Sequence, residues 1–381
     1  MNRRHRGGDV LVVGAGAIGA SVALHLGRLG MSVQLLDGEA PPRGRGTSGR
    51  SFGLIWAQSK APNTYLELSL ASVEYYPDFL ASLGDDCDYR RPGGLILIET
   101  EGQRRDLREL MQSQTHTPGF VVDFLDAAEV RDLEPALSDN LLGATFSPHD
   151  GHIDPRKLVF ALHRACESSG VRITSDAPVT RAARRHDAWM AETSVGVFEA
   201  AVLVNCAGAW AAELARMVGA DLPIEIVRGQ IVVSTPQPHI LSHPSLDLRQ
   251  APDGRVWMGT IHQHGDRSLE TRPEDTRSVL RIAERQVPRL SGVTVERVWA
   301  GLRGVPVDGH PIIGAIPGLQ DAYVAVGHSG ITLSPIAGKL TAELIATRRV
   351  PELLRPFGPE RASLARVASH VPGDEPFARR C

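Results

Sequence analysis

A glycine-rich turn near the amino terminus has the residue types and spacing that bind phosphate groups. Residues 14–19 read GAGAIG, follow the apolar run Val10–Val13 and open a predicted helix over residues 17–29. Such a turn places helix N-terminal amides against a pyrophosphate, because glycine permits both the tight turn and the close approach. Asp37 ends the next predicted strand, 32–36, where a carboxylate accepts hydrogen bonds from ribose hydroxyls. The pattern predicts a dinucleotide site and does not distinguish NAD from FAD.

The composition excludes several other kinds of site. The formal net charge is −3, so no basic field is expected to hold a nucleic acid. Cys87, Cys166, Cys206 and Cys381 form no CxxC pair, which argues against zinc, iron–sulfur and disulfide frameworks. Loop histidines are more often hydrogen-bonded or exposed than metal-bound, so no metal site is predicted. No apolar run is long enough to predict a membrane span, and a cytoplasmic location is expected.

The elements that must position the turn alternate between strands and helices. Strands are predicted at 10–13, 32–36, 95–99, 171–174, 201–205, 226–234, 256–261, 298–302 and 323–326, and helices at 17–29, 64–83, 101–114, 158–169, 274–287 and 335–346. This mixture predicts an α/β fold, and 381 residues suit two interleaved domains. The polar tail, residues 364–381, is expected to be loose.

Four further segments carry glycines and small or hydroxyl-bearing residues in a recognisable order. They are 46–53 (GTSGRSFG), 204–210 (VNCAGAW), 299–314 (beginning WAGLR) and 327–335 (GHSGITLSP). Together with the first turn they resemble the D-amino-acid oxidase, glycine oxidase and sarcosine oxidase family of flavoproteins over roughly residues 8–360. The resemblance implies FAD in a Rossmann-like domain of the glutathione-reductase type, with an inserted antiparallel-sheet substrate domain. It favours noncovalent FAD, since no cysteine lies near 46–53 or 327–332.

The resemblance also implies a division of the chain and a set of FAD-binding residues. The FAD-binding domain is expected at 1–87, 151–223 and 297–363, the substrate-binding domain at 88–150 and 224–296, and a C-terminal tail at 364–381. The residues implied to bind FAD are Gly14, Gly16, Ala17, Ile18, Gly19, Asp37, Thr47, Ser48, Arg50, Ser51, Val179, Ala207, Gly208, Gly301, Gly327, His328, Ser329, Gly330, Ile331 and Thr332.

The head of the last predicted helix has its own physical argument. Residues 327–334 carry no formal charge at neutral histidine and precede Pro335, a residue well tolerated in a first helical turn. A flavin that accepts a hydride gains negative charge near N1 and the C2 carbonyl, and a helix N-terminus aimed there would stabilise that charge. This segment is therefore expected beside the flavin ring.

Substrate chemistry follows from the same resemblance. The expected reaction oxidises the C–N bond of a small amino acid, imino acid or secondary amine by hydride transfer to flavin N5. Arg303 matches the position that holds the substrate carboxylate in glycine oxidase, and a guanidinium can grip a carboxylate through two parallel bonds. His262, Asp247 and Trp257 are further candidates for the pocket, and no residue is assigned as an acid or base.

Three departures leave the substrate and the electron acceptor open. The turn 328–330 is shorter than in glycine oxidase and lacks its second arginine, and the nearest match to a pocket tyrosine of that enzyme is Asp247. Strand 256–259 lacks the lysine with which monomeric sarcosine oxidase activates oxygen, so the acceptor is either oxygen or a partner protein or quinone. Segment 53–60 (GLIWAQSK) resembles bacterial D-hydroxyproline and opine dehydrogenases, which work within larger complexes.

The alternatives are therefore a flavoprotein subunit of such a complex and an NAD-dependent dehydrogenase. A subunit that only passes electrons or assembles a complex is the non-enzyme alternative. Association as a homo-oligomer or within a complex stays open.

Overall fold

The computed structural model describes residues 4–39, 46–259, 261–361 and 364 of the chain. The predicted tail lies outside the described residues apart from Leu364. The helices in the described ranges are α1 (Ala17–Arg28), α2 (Asn63–Leu83), α3 (Glu101–Gln114), α4 (Ala127–Leu133), α5 (Pro155–Ser168), α6 (Ala211–Met217), α7 (Pro273–Gln286) and α8 (Gly330–Thr347). The strands there are β1 (Arg4–Val13), β2 (Val33–Leu36), β3 (Leu54–Ile55), β4 (Gly94–Ile98), β5 (Asp123–Asp126), β6 (Gly143–Ser147), β7 (Gly151–His152), β8 (Arg172–Thr174), β9 (Val179–Arg185), β10 (Ala188–Thr193), β11 (Gly196–Asn205), β12 (Ile224–Pro236), β13 (Leu248–Gln250), β14 (Arg255–Met258), β15 (Gln263–His264), β16 (Val295–Pro306), β17 (Ile312–Ala315) and β18 (Ala322–Val326).

A mixed sheet forms the larger layer, and its strand order is β17-β18-β11-β1-β2-β8. The pairs β18–β11, β11–β1, β1–β2 and β2–β8 are parallel, while β17 and the β9–β10 hairpin join antiparallel. The last residues of β1, β2 and β11 are in register, because Val13 pairs with both Leu36 and Asn205, and Asn205 pairs with Val324, two residues before the end of β18. The carboxyl ends of β1, β2, β11 and β18 therefore meet at one edge, the place where open α/β sheets bind their ligands.

Both faces of this sheet are covered, as its continuous apolar strands require. Helices α1, α2, α5 and α8 pack on one face around residues such as Val12, Leu35 and Val204. The β9–β10 hairpin and α6 cover the other face around Leu11, Trp189 and Val324. The predicted α/β class is confirmed, although the β9–β10 hairpin was not predicted.

A second region consists of antiparallel ladders. β12 pairs along its length with β16 and on its other side with β14 and β15, and β4, β6 and β5 form a separate three-stranded sheet. Helices α4 and α7 close an apolar core that both sheets share, around Leu95, Val232 and Met258. The predicted domain boundaries remain a prediction, and β16 runs across the boundary predicted at 296–297.

Helix α8 begins at Gly330, so the prediction that it begins at Pro335 is wrong. Pro335 lies in the second turn, where it cannot donate an amide proton to the carbonyl of Ile331. That carbonyl accepts hydrogen bonds instead from the Tyr76 hydroxyl at 2.5 Å and from Ser334 Oγ at 3.1 Å. Side chains thus replace the missing backbone bond, which allows α8 to extend back to the edge where the strands end.

Candidate functional site

A cleft of about 480 Å³ lies along the carboxyl ends of the parallel strands and continues to the five-stranded sheet. Every residue that the sequence implied for FAD binding lines it, from Gly14 to Thr332. We call the part around residues 14–19, Asp37 and Val179 the dinucleotide end. The sheet end is the part lined by Trp56, Lys60, Gly229, Ile231, Leu246, His262 and Arg303. The volume is within the range of about 300–1,000 Å³ that is usual for ligand sites.

Backbone geometry shapes the dinucleotide end. Gly14 has φ 106°, a conformation that L side chains rarely adopt, and a Cβ there would overlap the carbonyl oxygen of Cys206. A Cβ at Gly19 would overlap the carbonyl oxygen of Gly14. The turn therefore passes tightly between β1 and α1, and its N-cap residue, Gly16, places no side chain at the helix head, as a phosphate cradle requires.

Asp37 follows β2 at this end and is engaged with the turn itself. Its Oδ2 accepts a hydrogen bond from the Ala15 amide at 2.7 Å, and its Oδ1 accepts one from the Glu39 amide at 3.0 Å. Burial raises the pKa of Asp37 above its usual value, against the effect of these amides. A carboxylate oxygen can accept more than one hydrogen bond, so Asp37 can both hold the turn and accept from a ribose hydroxyl.

The hydroxyl-bearing loop after β2 connects the two regions of the molecule. Ser48 Oγ accepts from the Ala17 amide at 2.9 Å, which caps the head of α1. Thr47 Oγ1 donates to the Leu302 carbonyl at 2.6 Å, and Arg50 Nη1 donates to the Ala300 carbonyl at 2.8 Å. These side chains bind α1 and β16 in the structure, so their role at the cleft includes positioning the strand that carries Arg303.

The head of α8 forms the floor between the two ends. Gly330 lies against Ile18, so that the heads of α1 and α8 are adjacent. Thr332 Oγ1 accepts from the Trp56 amide at 3.1 Å, and Lys60 Nζ donates to Ser329 Oγ at 3.0 Å. The segment after β3 is thereby fixed against the first turn of α8.

Arg303 faces the cleft from β16, as predicted for a substrate-binding residue. Its side chain lies across the backbone of Gly229 on the paired strand β12, and its Nη1 donates to the Ile261 carbonyl at 3.4 Å. The residue is only partly exposed, and burial alone lowers the pKa of its guanidinium to about 10. Within the described part of the chain no carboxylate pairs with it. A cation held in this way favours an anionic ligand.

The three other pocket candidates are placed differently. His262 lines the sheet end of the cleft. Asp247 does not line the cleft, and its Oδ2 accepts from Gln286 Nε2 at 3.0 Å. Trp257 also lies outside the wall, since its ring packs edge-on against Trp299 at 5.1 Å and under the Arg249 guanidinium at 4.0 Å. Trp257 lies on β14, where side chains alternate between the two faces of the sheet, and Asp247 lies just before β13.

Lys60 is a cleft residue that the sequence reasoning did not single out. The family resemblance points to a lysine on strand 256–259, whereas Lys60 reaches the cleft from the segment after β3. Its side chain is almost fully buried, with 3% exposure, and its Nζ lies 5.5 Å from the centre of the Tyr65 ring. One feature of the sequence could have indicated Lys60. It is the single cation at the end of segment 51–60, which is otherwise uncharged.

The described ranges contain no candidate metal cluster and no candidate membrane-spanning helix. Among those residues no three His, Cys, Asp or Glu side chains are grouped so as to hold a metal ion. His149 is bonded to Glu74 at 2.9 Å, and His264 to Glu225 at 3.2 Å. In the same ranges, no helix is both long and apolar enough to cross a membrane.

Comparisons with known proteins place this cleft in context. The model of the family described as DAO, FAD dependent oxidoreductase, matches residues 9–344. The chain is 30% identical over 373 residues to the bifunctional protein ThiO/ThiG of Synechocystis sp., and the match covers 93% of this chain and 54% of that protein. It is 28% identical over 366 residues to one of the subunits of opine oxidase from Agrobacterium tumefaciens, covering 93% of this chain and 97% of that protein.

A solved structure is similar to this chain over nearly its whole length. The crystal structure of glycine oxidase from Geobacillus kaustophilus superposes with a TM-score of 0.88 at 27% identity, over 94% of this chain and 99% of that chain. The present chain thus spans about half of the bifunctional relative and nearly the whole of the other two proteins.

Proposed function

Since the chain belongs to the family of FAD-dependent oxidoreductases, whose model covers residues 9–344, we propose that it oxidises the C–N bond of a small amine that carries a carboxylate. The proposed substrates include amino acids, imino acids and N-substituted amino acids. The chain is an FAD-dependent oxidoreductase, and the expected alternative of an NAD-dependent dehydrogenase is not supported. The substrate class is the element of this proposal that requires an experimental test.

The residues of the cleft suit FAD. Gly14 and Gly19 admit no side chain, so the turn packs tightly against the Cys206 carbonyl and the head of α1, and the N-cap residue Gly16 places no side chain there. The residues that would hold the cofactor are those predicted from the sequence at the dinucleotide end, together with Ser51, Gly301 and the head of α8, residues 327–332. We propose that FAD is held there without a covalent bond.

Arg303 carries the assignment of the substrate class. Its guanidinium faces the cleft, has no acidic partner in the described ranges and bears a desolvation cost that lowers its pKa to about 10. A substrate carboxylate would satisfy it through charge-assisted hydrogen bonds and would fix the orientation of the neighbouring carbon.

The remaining groups exclude water and stabilise charge. When bound, FAD supplies the acceptor for the hydride that leaves the carbon next to nitrogen. Trp56, Ile231 and Leu246 surround that region with apolar surface, and the amides at the head of α8 face the same cleft. Such amides favour negative charge that develops during the reaction. The imine product is hydrolysed by water.

Substitution of Arg303 tests this function. Arg303→Ala should keep FAD but weaken flavin bleaching by carboxylate-bearing amines on the order of 100-fold, because it leaves a carboxylate without its partner. Anaerobic mixing followed by visible absorbance measures the effect. Arg297→Ala is the matched control, since Arg297 belongs to the same strand and its side chain is 44% exposed. Unchanged bleaching by Arg303→Ala would remove Arg303 from the substrate site.

The second candidate is a flavoprotein subunit of a larger dehydrogenase. The similarity to the Agrobacterium opine oxidase chain over 97% of that protein favours it. The isolated chain would then be reduced by substrate but reoxidised slowly by oxygen, and an artificial acceptor would restore turnover. Fast reoxidation in air by the isolated chain would instead support an oxidase.

A further inference from the structure

Arg303 and Gly229 lie on two paired strands at the sheet end of the cleft. Arg303 on β16 pairs with Val227 on β12, and Gly229 is two residues further along β12, so all three belong to the same face of the sheet. A Cβ added at Gly229 would overlap Nη1 of Arg303 and would lie 2.7 Å from Nη2 and 2.9 Å from Cζ. The guanidinium therefore occupies the space that a side chain at position 229 would need.

The backbone of β12 at Gly229 is held firmly on both sides. β12 pairs along its length with β16, and on its other side with β14 and β15. The preceding residue, Arg228, is fully buried. Its Nη1 donates to Asp275 Oδ2 and to Gln263 Oε1, each at 2.6 Å. An added methyl group at Gly229 would therefore displace the flexible end of Arg303 and leave the strand in place.

The same polar contacts hold the segment that Arg303 touches at its other end. Arg303 Nη1 donates to the Ile261 carbonyl at 3.4 Å, and the chain continues from there into Gln263 on β15. Gln263 Nε2 donates to Asp275 Oδ1 at 3.0 Å, while its Oε1 accepts from Arg228. The guanidinium thus lies between a residue without a side chain and a carbonyl whose segment is anchored two residues away.

The acids that line the cleft in the described ranges do not provide another position for this guanidinium. Asp37 and Glu39 belong to the dinucleotide end, where Asp37 holds the turn. Glu213 forms an ion pair with Arg267 at 2.5 Å. A guanidinium displaced from β12 would therefore lose its packing without gaining an ion pair in the part of the cleft that the structure describes.

We propose that Gly229 is a positioning residue for the substrate carboxylate. Because it has no side chain, the guanidinium of Arg303 can lie directly against β12, at the depth from which it meets a bound carboxylate. The inference rests on the proposed function, which assigns that carboxylate to Arg303. Since Gly229 acts through a cation, a change there should affect charged ligands far more than neutral ligands of the same shape.

Binding of unreactive ligands tests this role without turnover. Methoxyacetate has a carboxylate and an ether oxygen in place of the amine, and methoxyacetamide is its uncharged match of nearly the same shape. Each is titrated into the FAD-bound protein while the visible flavin spectrum is followed. Gly229→Ala should weaken methoxyacetate binding about 10-fold or more, the usual effect of losing a charge-assisted hydrogen bond, and should change methoxyacetamide binding by about 2-fold or less.

A double variant distinguishes positioning from a general structural role. In an Arg303→Ala background, Gly229→Ala should change the remaining methoxyacetate affinity by about 2-fold or less, because no guanidinium is left to displace. Gly259→Ala is the matched control, since Gly259 follows β14 of the same sheet and an added Cβ there would meet its nearest atoms at 3.6 Å, an ordinary contact distance. The control should keep the wild-type affinity for both ligands.

The outcomes separate this inference from the proposed function. Unchanged methoxyacetate affinity in Gly229→Ala, equal losses for the acid and the amide, or the same loss in the Arg303→Ala background would overturn the inference even if amines still bleach the flavin. If Gly229→Ala does not fold, folding restored by Arg303→Ala would support the inference, and failure of the double variant would overturn it. An effect that depends on Arg303, together with no bleaching by any carboxylate-bearing amine, would support the positioning role and contradict the proposed reaction.

Discussion

The two ends of the cleft are built in different ways. The dinucleotide end is shaped mainly by the backbone of one short segment, in which Gly14 and Gly19 admit no side chain and the N-cap residue Gly16 places none at the head of α1. The sheet end is made of side chains from segments far apart in the chain, among them Trp56, Lys60 and Arg303. A backbone site leaves a compact sequence signal, whereas a side-chain site depends on how distant elements are brought together.

The largest expected effect lies at the dinucleotide end. Gly14→Ala adds a Cβ at a residue with φ 106° and against the Cys206 carbonyl, so the turn must move. We expect FAD affinity to fall on the order of 100-fold, since a shift of the turn removes several amide contacts to phosphate at once. The ratio of flavin to protein absorbance after gel filtration measures it.

Gly30→Ala is the control for this variant. Gly30 also has a positive φ, 82°, but no atom lies within 4 Å of an added Cβ. This change should cost about 1 kcal/mol of stability and leave FAD bound. A Gly14→Ala protein as yellow as the wild type would contradict the backbone description of this end.

The segment after β3 that carries Lys60 should respond instead to Asp150, a buried residue whose Oδ1 accepts from the Ala57 amide. Burial raises the pKa of Asp150 from 3.8 to about 7, so the unfolded chain ionises first as pH rises. Between these two values the native state binds one proton more than the unfolded state, and stability therefore falls with increasing pH. Asp150→Asn removes this loss and should gain up to about 4 kcal/mol over the wild type between pH 4 and pH 8, at about 1.4 kcal/mol per pKa unit.

Denaturant unfolding of both proteins at several pH values measures this difference. The Asn side-chain oxygen can still accept from the Ala57 amide, so the support for the segment persists. A difference between the two proteins that does not change with pH would show that Asp150 ionises normally in the folded protein.

The smallest effect concerns the floor between the two ends. Tyr76→Phe removes a hydroxyl that donates to the Ile331 carbonyl, where Pro335 cannot donate. The expected loss of unfolding free energy is about 1–2 kcal/mol, because Ser334 Oγ still reaches the same carbonyl. In a Pro335→Ala background the loss should shrink, since the new amide can take the place of the hydroxyl. Equal losses in both backgrounds would contradict this explanation of the early start of α8.

Sequence reasoning predicted the features whose structure is determined by residues close together in the chain. The GAGAIG turn and Asp37 follow from glycine geometry and strand order, and the FAD family follows from segments that keep their order along the chain. It did not predict features that depend on contacts between residues far apart in the chain. The start of α8 depends on Tyr76, which is 255 residues away from Ile331 in the chain.

The sheet end shows the same limit for individual residues. Asp247 was a pocket candidate because of its position in an alignment, but its carboxylate is turned toward Gln286 on α7. The sequence pattern does not indicate Lys60, because tertiary packing and not sequence position brings it to the cleft beside α8. Which side chain faces a cleft depends on strand pairing and twist, which periodicity alone does not determine.

The central claim, that the sheet end binds the carboxylate of an amine substrate, is tested most directly by anaerobic reduction of the wild-type holoenzyme with matched amines. Sarcosine and iminodiacetate are compared with the corresponding carboxamides, which keep the C–H bond and the nitrogen but carry no negative charge. We predict that the carboxylates bleach the flavin absorbance and that the amides do so at least about 100-fold more slowly. Bleaching at equal rates by acids and amides, or no bleaching by any carboxylate-bearing amine, would contradict the claim.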